Sequence, residues 1–205
     1  MEPAGGAAAA EAELEALAAR VRACIRCPLH AGRTHAVPGE GSGASGVFLV
    51  GEAPGRNEDA TGRPFCGAAG KNLDLALREA GLERASCFVT SIVKCRPPGN
   101  RDPREGEKAA CHPFLEAQVR LLRPRVLVAL GRHGLSALVG EVPKEFATLT
   151  GTFLEGPGGV PVFVSLHPAA VIYRQKWKGR YLEEWGRFGA WLRSGRPPPP
   201  QGQPV

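Results

Sequence analysis

The chain has 205 residues, of which 43% are hydrophobic, and it carries a formal net charge of +6. This size suits one well-packed domain rather than two, and the moderate positive charge is compatible with nucleic acid binding or with a basic surface that binds nothing. No apolar run reaches the roughly 18 to 20 residues of a membrane span, and the N-terminus lacks the basic start of a signal peptide. We therefore expect a cytoplasmic protein without membrane contact.

Strand and helix patterns alternate along the chain between two irregular ends. Residues 1–11 are rich in Ala and Gly and are predicted to be a flexible leader, whereas residues 195–205, with four consecutive prolines, are predicted to be an extended or disordered tail. Apolar residues at helical spacing predict helices over residues 11–23, 70–80, 105–122, 133–139 and 178–193. Apolar and β-branched runs predict strands over residues 47–50, 87–93, 126–130 and 160–165.

This alternation predicts a single α/β domain over residues 12–194, in which a four-stranded parallel sheet is sandwiched between helices. Polar segments follow three of the strands, at residues 51–67, 94–104 and 167–174. Because ligands of such sheets bind beyond the carboxyl ends of the strands, we expect the three segments to surround one cleft. The pattern alone therefore indicates where the active site lies.

Four of the six cysteines form two pairs. Cys24 and Cys27 make a C-x2-C motif, and fifteen residues separate Cys95 from Cys111. Because disulfides are rare in the cytosol, the two pairs fit either a tetrahedral zinc site or an iron–sulfur cluster. Inert burial of the second pair is the alternative.

The spacing alone does not choose between zinc and iron. Two histidines beside the candidate ligands, His30 and His112, could replace one thiolate. The remaining cysteines, Cys66 and Cys87, have no paired spacing, and Cys87 lies in a predicted strand, where a small buried hydrophobe is expected.

Three motifs accompany the cysteines: GEAPGRNEDATGRPFCG at residues 51–67, IVKCRPPGNRDP at residues 92–103 and LHPA at residues 166–169. In this order and spacing they resemble the family-four uracil-DNA glycosylases, the thermostable iron–sulfur branch of the uracil-DNA glycosylase superfamily, over residues 24–191. The resemblance implies that family's four-stranded fold and a base excision repair hydrolase. Such an enzyme flips uracil out of single- or double-stranded DNA and hydrolyses its N-glycosidic bond, leaving an abasic site.

The resemblance also favours iron over zinc. The four paired cysteines match the ligands of a structural [4Fe–4S] cluster in that family, and the cluster would hold the N-terminal helix to the loop that follows the second strand. These ligands are Cys24, Cys27, Cys95 and Cys111.

Residue by residue, the resemblance assigns the chemistry to two side chains. His167 of the HPA motif would donate a hydrogen bond to uracil O2 while negative charge develops there, and the alternative is a histidine that only caps a strand end. Glu52 is the candidate for positioning the attacking water, with a loop-ordering carboxylate as the alternative. The backbone of Glu52, Ala53 and Pro54 would contact the base, and Ala53 stands where the best-known branch carries aspartate.

Three further residues are assigned to base recognition. Phe65 would stack on uracil, unless it is a core residue, and Glu58 would pack against uracil C5, unless it is a solvated acid in the first turn of a helix. Ser91 departs from the family, which has asparagine there to read the amide edge of uracil. A single hydroxyl reads less than a planar amide, so a wider base range, such as hypoxanthine or xanthine, is an open alternative.

Two clusters flanking the cleft are predicted to bind DNA. One belongs to the loop after the second strand, and the other resembles the family's minor-groove loop, in which apolar side chains would fill the hole left by the flipped base. The residues are Lys94, Arg96, Arg101, Val171, Ile172, Tyr173 and Arg174.

A DNA-binding or polymerase-associated module that keeps the fold, with weak or altered base specificity, is the competing hypothesis, motivated by Ser91 and Ala53. A related branch that traps DNA covalently ranks low, because its extra basic loop with a histidine is missing between residues 92 and 103. We expect a monomer whose partner is DNA, with a replication or repair protein as a further candidate partner.

Overall fold

The computed structural model describes residues 5–142 and 144–205, with side chains from residue 10 onward. Five strands form one sheet: β1 (Val47–Gly51), β2 (Phe88–Ser91), β3 (Val126–Leu130), β4 (Phe153–Glu155) and β5 (Pro161–Ser165). Their order is β2–β1–β3–β5–β4. The first four in this order run parallel to one another, and β4 pairs antiparallel with β5.

Eight helices surround the sheet in the described part of the chain. They are α1 (Gly5–Arg22), α2 (Arg56–Thr61), α3 (Ala68–Glu79), α4 (Glu105–Leu122), α5 (Gly131–Val139), α6 (Phe146–Leu149), α7 (Ala170–Tyr173) and α8 (Lys178–Ser194). Short 3-10 turns lie between several of them. No helix among the described residues is both long enough and apolar enough to cross a bilayer.

Both faces of the sheet are buried, which is why β1 and β3 are continuous apolar runs. Successive residues of a strand point to opposite faces, so Val47 and Leu49 pack with α3 and α8, whereas Phe48 and Val50 pack with α4 and α5. Complete burial of a large apolar side chain contributes about 1.5–3 kcal/mol, so these two layers supply most of the driving force for folding. A third, smaller cluster joins α1 to α4 around the four paired cysteines.

The predicted four-stranded parallel sheet is confirmed, and the structure adds β4 at its edge. This strand has only three residues, too few for a visible alternation of apolar and polar side chains.

The two predicted irregular ends differ from the prediction. Residues 1–4 lie outside the described residues, but residues from Gly5 onward already belong to α1, so the predicted flexible leader is wrong for that part. The tail, predicted to be extended or disordered, has a turn at residues 201–202 and contacts the domain. The Gly202 N–H donates to the Phe153 carbonyl at 3.0 Å, and the Val205 N–H donates to the Gly151 carbonyl at 3.1 Å. These bonds satisfy backbone groups beside the β4 edge.

Candidate active site

The predicted cleft lies beyond the carboxyl ends of β1, β2 and β5. The Ile92 N–H donates to the Gly51 carbonyl at 3.0 Å, and the Val93 N–H donates to the Glu52 carbonyl at 3.2 Å, so the segments after β1 and β2 run side by side. From the third segment, the His167 ring lies 5.7 Å from the Phe65 ring, measured between centroids. The structure therefore brings all three polar segments to one place.

Phe65 lies at the strand ends and adopts an unusual backbone conformation. It is 8% exposed and belongs to the core cluster, as the alternative interpretation expected, so stacking on uracil stays a prediction. Its φ is +47°, in the left-handed region that costs a non-glycine residue roughly 1–2 kcal/mol. The close approach of α3 holds it there, because a Cβ on Gly70 would meet the Phe65 carbonyl oxygen at 1.7 Å. Gly51 is equally constrained, since a Cβ there would lie 2.5 Å from the Phe65 ring and 3.4 Å from Ser91 Oγ. Phe65 and Ser91 thus flank Gly51 at the end of β1.

Glu58 orders the loop that carries Phe65. One carboxylate oxygen accepts the N–H groups of Cys66, at 2.9 Å, and Gly67, at 3.1 Å, and the other accepts the Gly55 N–H at 3.1 Å. Glu58 also lies in the first turn of α2, as the alternative interpretation expected. Its carboxylate ties both ends of the loop together, and contact with uracil C5 stays a prediction.

His167 is a neutral hydrogen-bond donor at neutral pH. Burial, with a smaller contribution from the charge of His133, lowers its pKa to about 4. The Ala169 N–H donates to His167 Nδ1 at 3.2 Å. A neutral ring that accepts at Nδ1 carries its proton on Nε2, so Nε2–H is the donor left to serve a ligand.

Glu52 follows β1 directly, and two residues that sequence reasoning missed lie beside it. His133 of α5 has its Nε2 atom 3.8 Å from Glu52 Oε2 and 3.4 Å from Asp102 Oδ2. Burial raises the pKa of Glu52, His133 opposes that shift, and the carboxylate of Asp102 adds to it. A signal for His133 existed, because it follows the end of a predicted strand, and Asp102 lies within the RPPGNRDP segment.

Ser91 is the last residue of β2 and therefore lies at the strand end that borders the cleft, where it is 5% exposed. Its carbonyl oxygen accepts a hydrogen bond from Lys94 Nζ at 2.7 Å. This hydrogen bond from Lys94 therefore fixes the main chain at the end of β2.

The prediction that Lys94 binds phosphate is wrong. This side chain is 1% exposed, and besides Ser91 its ammonium donates to Thr90 Oγ1 at 2.6 Å and to Gln118 Oε1 at 2.8 Å. Burial lowers its pKa to about 8. An ammonium with three interior acceptors cannot reach DNA, so Lys94 ties β2 to α4 instead.

Two arginines of the same loop are already engaged. Arg101 forms two hydrogen bonds, of 2.8 and 2.7 Å, with the buried carboxylate of Glu107. Chiefly through these hydrogen bonds, Arg101 lowers the pKa of Glu107 to about 2. Arg96 Nε donates to Asn100 Oδ1 at 2.7 Å. Phosphate binding by Arg96 and Arg101 stays a prediction, but Arg101 also has a role inside the protein.

The predicted minor-groove loop divides into buried and exposed residues. Val171 is 1% exposed and packs in the core, so its assignment as a DNA contact is wrong. Ile172 is half-buried and Tyr173 is 85% exposed, so these two remain candidates for the inserted wedge. The exposed Arg174 guanidinium lies 4.4 Å from the centroid of the Trp177 ring. An α-helical turn, α7, orients the loop by burying its first apolar residue.

The four paired cysteines line one pocket on the far side of the loop that follows β2. All are free thiols, and burial raises the pKa of the Cys111 thiol to about 11. Arg33 approaches the pocket and donates to Cys95 Sγ at 3.2 Å. In the described part of the chain, no three of these sulfurs lie within 4.8 Å of one another. Four thiols in one pocket are a donor set that fits either a zinc ion or an iron–sulfur cluster.

The two flanking histidines have other partners. His30 Nδ1 lies 2.8 Å from the Cys27 carbonyl, and His112 pairs with Glu116 at 3.4 Å. Cys87 is fully buried in the core, as predicted, and Cys66 is exposed.

Comparison with known proteins agrees with the geometry. The family model of the uracil DNA glycosylase superfamily matches residues 38–186. The chain is 42% identical over 178 residues to the type-4 uracil-DNA glycosylase of Sulfurisphaera tokodaii, covering 83% of this chain and 80% of that protein. Identity is 41% over 182 residues to that of Pyrobaculum aerophilum (86% and 93%), and 42% over 159 residues to that of Thermotoga maritima (78% and 83%). With its cleft at the strand ends and its four clustered thiols, this chain belongs to the uracil-DNA glycosylase superfamily and, within it, to the type-4 branch.

Proposed function

We propose that the protein is a DNA repair hydrolase that flips uracil out of DNA, hydrolyses its N-glycosidic bond and leaves an abasic site. The observation that carries this proposal is the convergence of Phe65, His167 and Glu52 beyond the carboxyl ends of the parallel strands. An aromatic face, a neutral donor and a carboxylate are the groups that the reaction needs. The type-4 relatives, named as uracil-DNA glycosylases, support the same activity.

The base would enter between the loop after β1 and the end of β2. Phe65 offers its ring for stacking, which contributes about 1–3 kcal/mol per base. The backbone of residues 52–54 and the Ser91 hydroxyl would meet the polar edge of the base. Glu58 acts on this pocket at least indirectly, because it fixes the loop that presents Phe65.

Bond breaking leaves positive charge on the sugar and negative charge on uracil, so the enzyme must stabilise both. The Nε2–H group of His167 would donate to uracil O2 as the negative charge develops, and its ring is already neutral at physiological pH. Glu52 would orient a water molecule and accept its proton when that water attacks the sugar. Its partly buried carboxylate, with a raised pKa, suits a base.

We also propose that Cys24, Cys27, Cys95 and Cys111 hold a [4Fe–4S] cluster. Their common pocket supports a shared metal group, and similarity to the type-4 branch, for which the sequence resemblance implied this cluster, favours it over zinc. Such a cluster would supply structural support to the loop after β2 rather than chemistry, because it would join the end of α1 to α4. Free thiols suit the reducing cytoplasm that the sequence suggests.

For DNA contact we propose the exposed part of the predicted surface. Tyr173 and Ile172 would fill the space of the flipped base, while Arg174, Arg96 and Arg101 would approach phosphates. We propose a monomer acting on single- or double-stranded DNA, with a replication or repair protein as a further partner.

The direct test is incubation with a DNA oligonucleotide that carries one uracil, followed by alkali. Strand cleavage at the uracil position is expected, and a matched thymine oligonucleotide should stay intact. Intact uracil DNA at high enzyme concentration would contradict the proposed activity.

A second candidate function rests on Ser91 at the end of β2. One rotating hydroxyl fits several base edges, so the pocket could accept other deaminated bases, or bind DNA with little excision. Excision assays on hypoxanthine and xanthine, with DNA affinity measured in parallel, separate these outcomes.

A further inference from the structure

His133 and Asp102 lie at the mouth of the cleft, and the proposed reaction has not yet used either. Their side chains, together with that of Glu52, bring ligand atoms within 4.8 Å of one another. The three residues come from three elements: the loop after β1, the loop before α4 and the first turn of α5. Such convergence from distant positions in the chain indicates a function in the cleft.

The position of His133 is set by the close packing of α5. A Cβ on Gly134 would lie 2.4 Å from the Val50 carbonyl, so this end of α5 lies directly against β1. A Cβ on Gly131 would meet His167 Cβ at 2.9 Å. Because α5 touches both strand ends, the imidazole of His133 lies beside Glu52.

Asp102 is held in place from the other side. Its neighbour Arg101 pairs with Glu107 in the first turn of α4 and also donates to the Asp102 carbonyl at 2.9 Å. The Asp102 carboxylate is 75% exposed, and such exposed pairs contribute little to stability. The arrangement is therefore not explained as a stabilising contact.

We propose that His133, paired with Asp102, is a positioning residue that acts on the Glu52 carboxylate through its positive charge at 3.8 Å and so holds the ionised form that the attacking water needs. This inference rests on the proposed role of Glu52 in uracil excision. The Glu52 and Asp102 carboxylates lie within 4.8 Å of each other and of the His133 ring nitrogen, and they repel each other. Whenever the imidazole carries a proton, its charge offsets that repulsion. The His133 Nε2 atom lies 3.4 Å from Asp102 Oδ2 and 3.8 Å from Glu52 Oε2, so it acts on Glu52 through its charge rather than through a hydrogen bond.

The charges around Glu52 define the expected pH dependence. Burial and Asp102 raise the pKa of Glu52, whereas His133 and Lys108 of α4 lower it. Removal of His133 leaves Asp102 unopposed, so the pKa of Glu52 rises. The acid limb of the excision rate, where Glu52 becomes protonated, should then move to higher pH.

The test compares three substitutions of His133 by single-turnover excision of uracil across pH. His133→Ala removes the charge, so the acid limb should rise by about one pH unit while the plateau rate changes little. His133→Gln keeps a polar side chain of similar size without charge, so its limb should stay as high as that of His133→Ala. His133→Lys keeps a cation, so the limb should return to the wild-type position or below it. His35→Asn, on the loop before β1, is the matched control.

A merely structural role would follow side-chain size, so His133→Gln and not His133→Lys would then restore the limb. In a Glu52→Gln background the titrating carboxyl is gone, so no acid limb of Glu52 remains for His133→Ala to shift. If the wild-type enzyme is active and the acid limb stays unchanged in His133→Ala, this inference alone is overturned. Wild-type protein that excises no uracil would overturn the proposed function, and this inference with it.

Discussion

His167 lies in the cleft as a neutral ring, because burial lowers its pKa to about 4 and the Ala169 N–H occupies Nδ1. The surroundings of His167, rather than its residue type, therefore decide its role. The same holds for Lys94, whose burial keeps it away from the protein surface that would face DNA. The family resemblance assigned His167 and Phe65 to the same base, and the structure places their rings 5.7 Å apart. The sequence could not show that Lys94 and Val171 are buried, because neighbouring residues of a short segment can face either the core or the solvent.

The substitution Ser91→Asn tests whether residue 91 recognises the base. Asparagine presents a donor and an acceptor on one plane, which matches the amide edge of uracil better than one hydroxyl. The preference for uracil over hypoxanthine should therefore rise by about tenfold. The ratio of kcat/KM values for the two bases is the measurement. An unchanged ratio would show that Ser91 does not contact the base.

Elements were predicted more reliably than contacts. The helix over residues 105–122 and the strand over residues 126–130 were predicted with the bounds that the structure shows, because their apolar spacing is regular and a proline follows the helix. The strand β4 and the early start of α1 were missed. A three-residue edge strand and an Ala-rich helical turn carry no periodic signal, and tertiary contact decides both.

Lys94 connects two elements, so its replacement tests the packing of β2 against α4. In Lys94→Met, Gln118 and the Ser91 carbonyl lose a buried donor, and each unsatisfied group costs about 1–3 kcal/mol. We expect a clearly lower Tm, measured by thermal unfolding, with Lys71→Met on the exposed face of α3 as control.

The salt dependence of DNA binding distinguishes the structural role of Lys94 from a phosphate contact. Lys94→Met should leave the slope of log K against log salt unchanged, whereas Arg174→Gln should reduce its magnitude by about one. A reduced slope for Lys94→Met would restore the phosphate-binding interpretation.

In the whole molecule, the thiol pocket joins segments that are far apart in the chain: the end of α1, the loop after β2 and the middle of α4. Sequence spacing and the family resemblance identified all four thiols, but spacing alone left zinc and iron open. The structure places the four thiols in one pocket, and the metal content of the protein decides between zinc and iron.

Loss of one ligand therefore tests the pocket as a whole. Cys111→Ser should abolish the yellow-brown colour and broad visible absorption expected of a [4Fe–4S] cluster, and it should lower Tm, because α1 and α4 lose their common anchor. Cys66→Ser, which changes an exposed cysteine outside the pocket, should keep the colour. A colourless wild-type protein that contains zinc, prepared without oxygen, would contradict the cluster.

The central claim is that one cleft at the strand ends holds a flipped uracil while His167 stabilises its negative charge. The most direct measurement is single-turnover excision of uracil by wild-type and His167→Ala proteins, with DNA affinity determined for both. We predict that the variant loses about 100- to 1,000-fold in rate while its affinity for DNA changes little. Equal excision rates, or a loss of affinity as large as the loss of rate, would contradict the account.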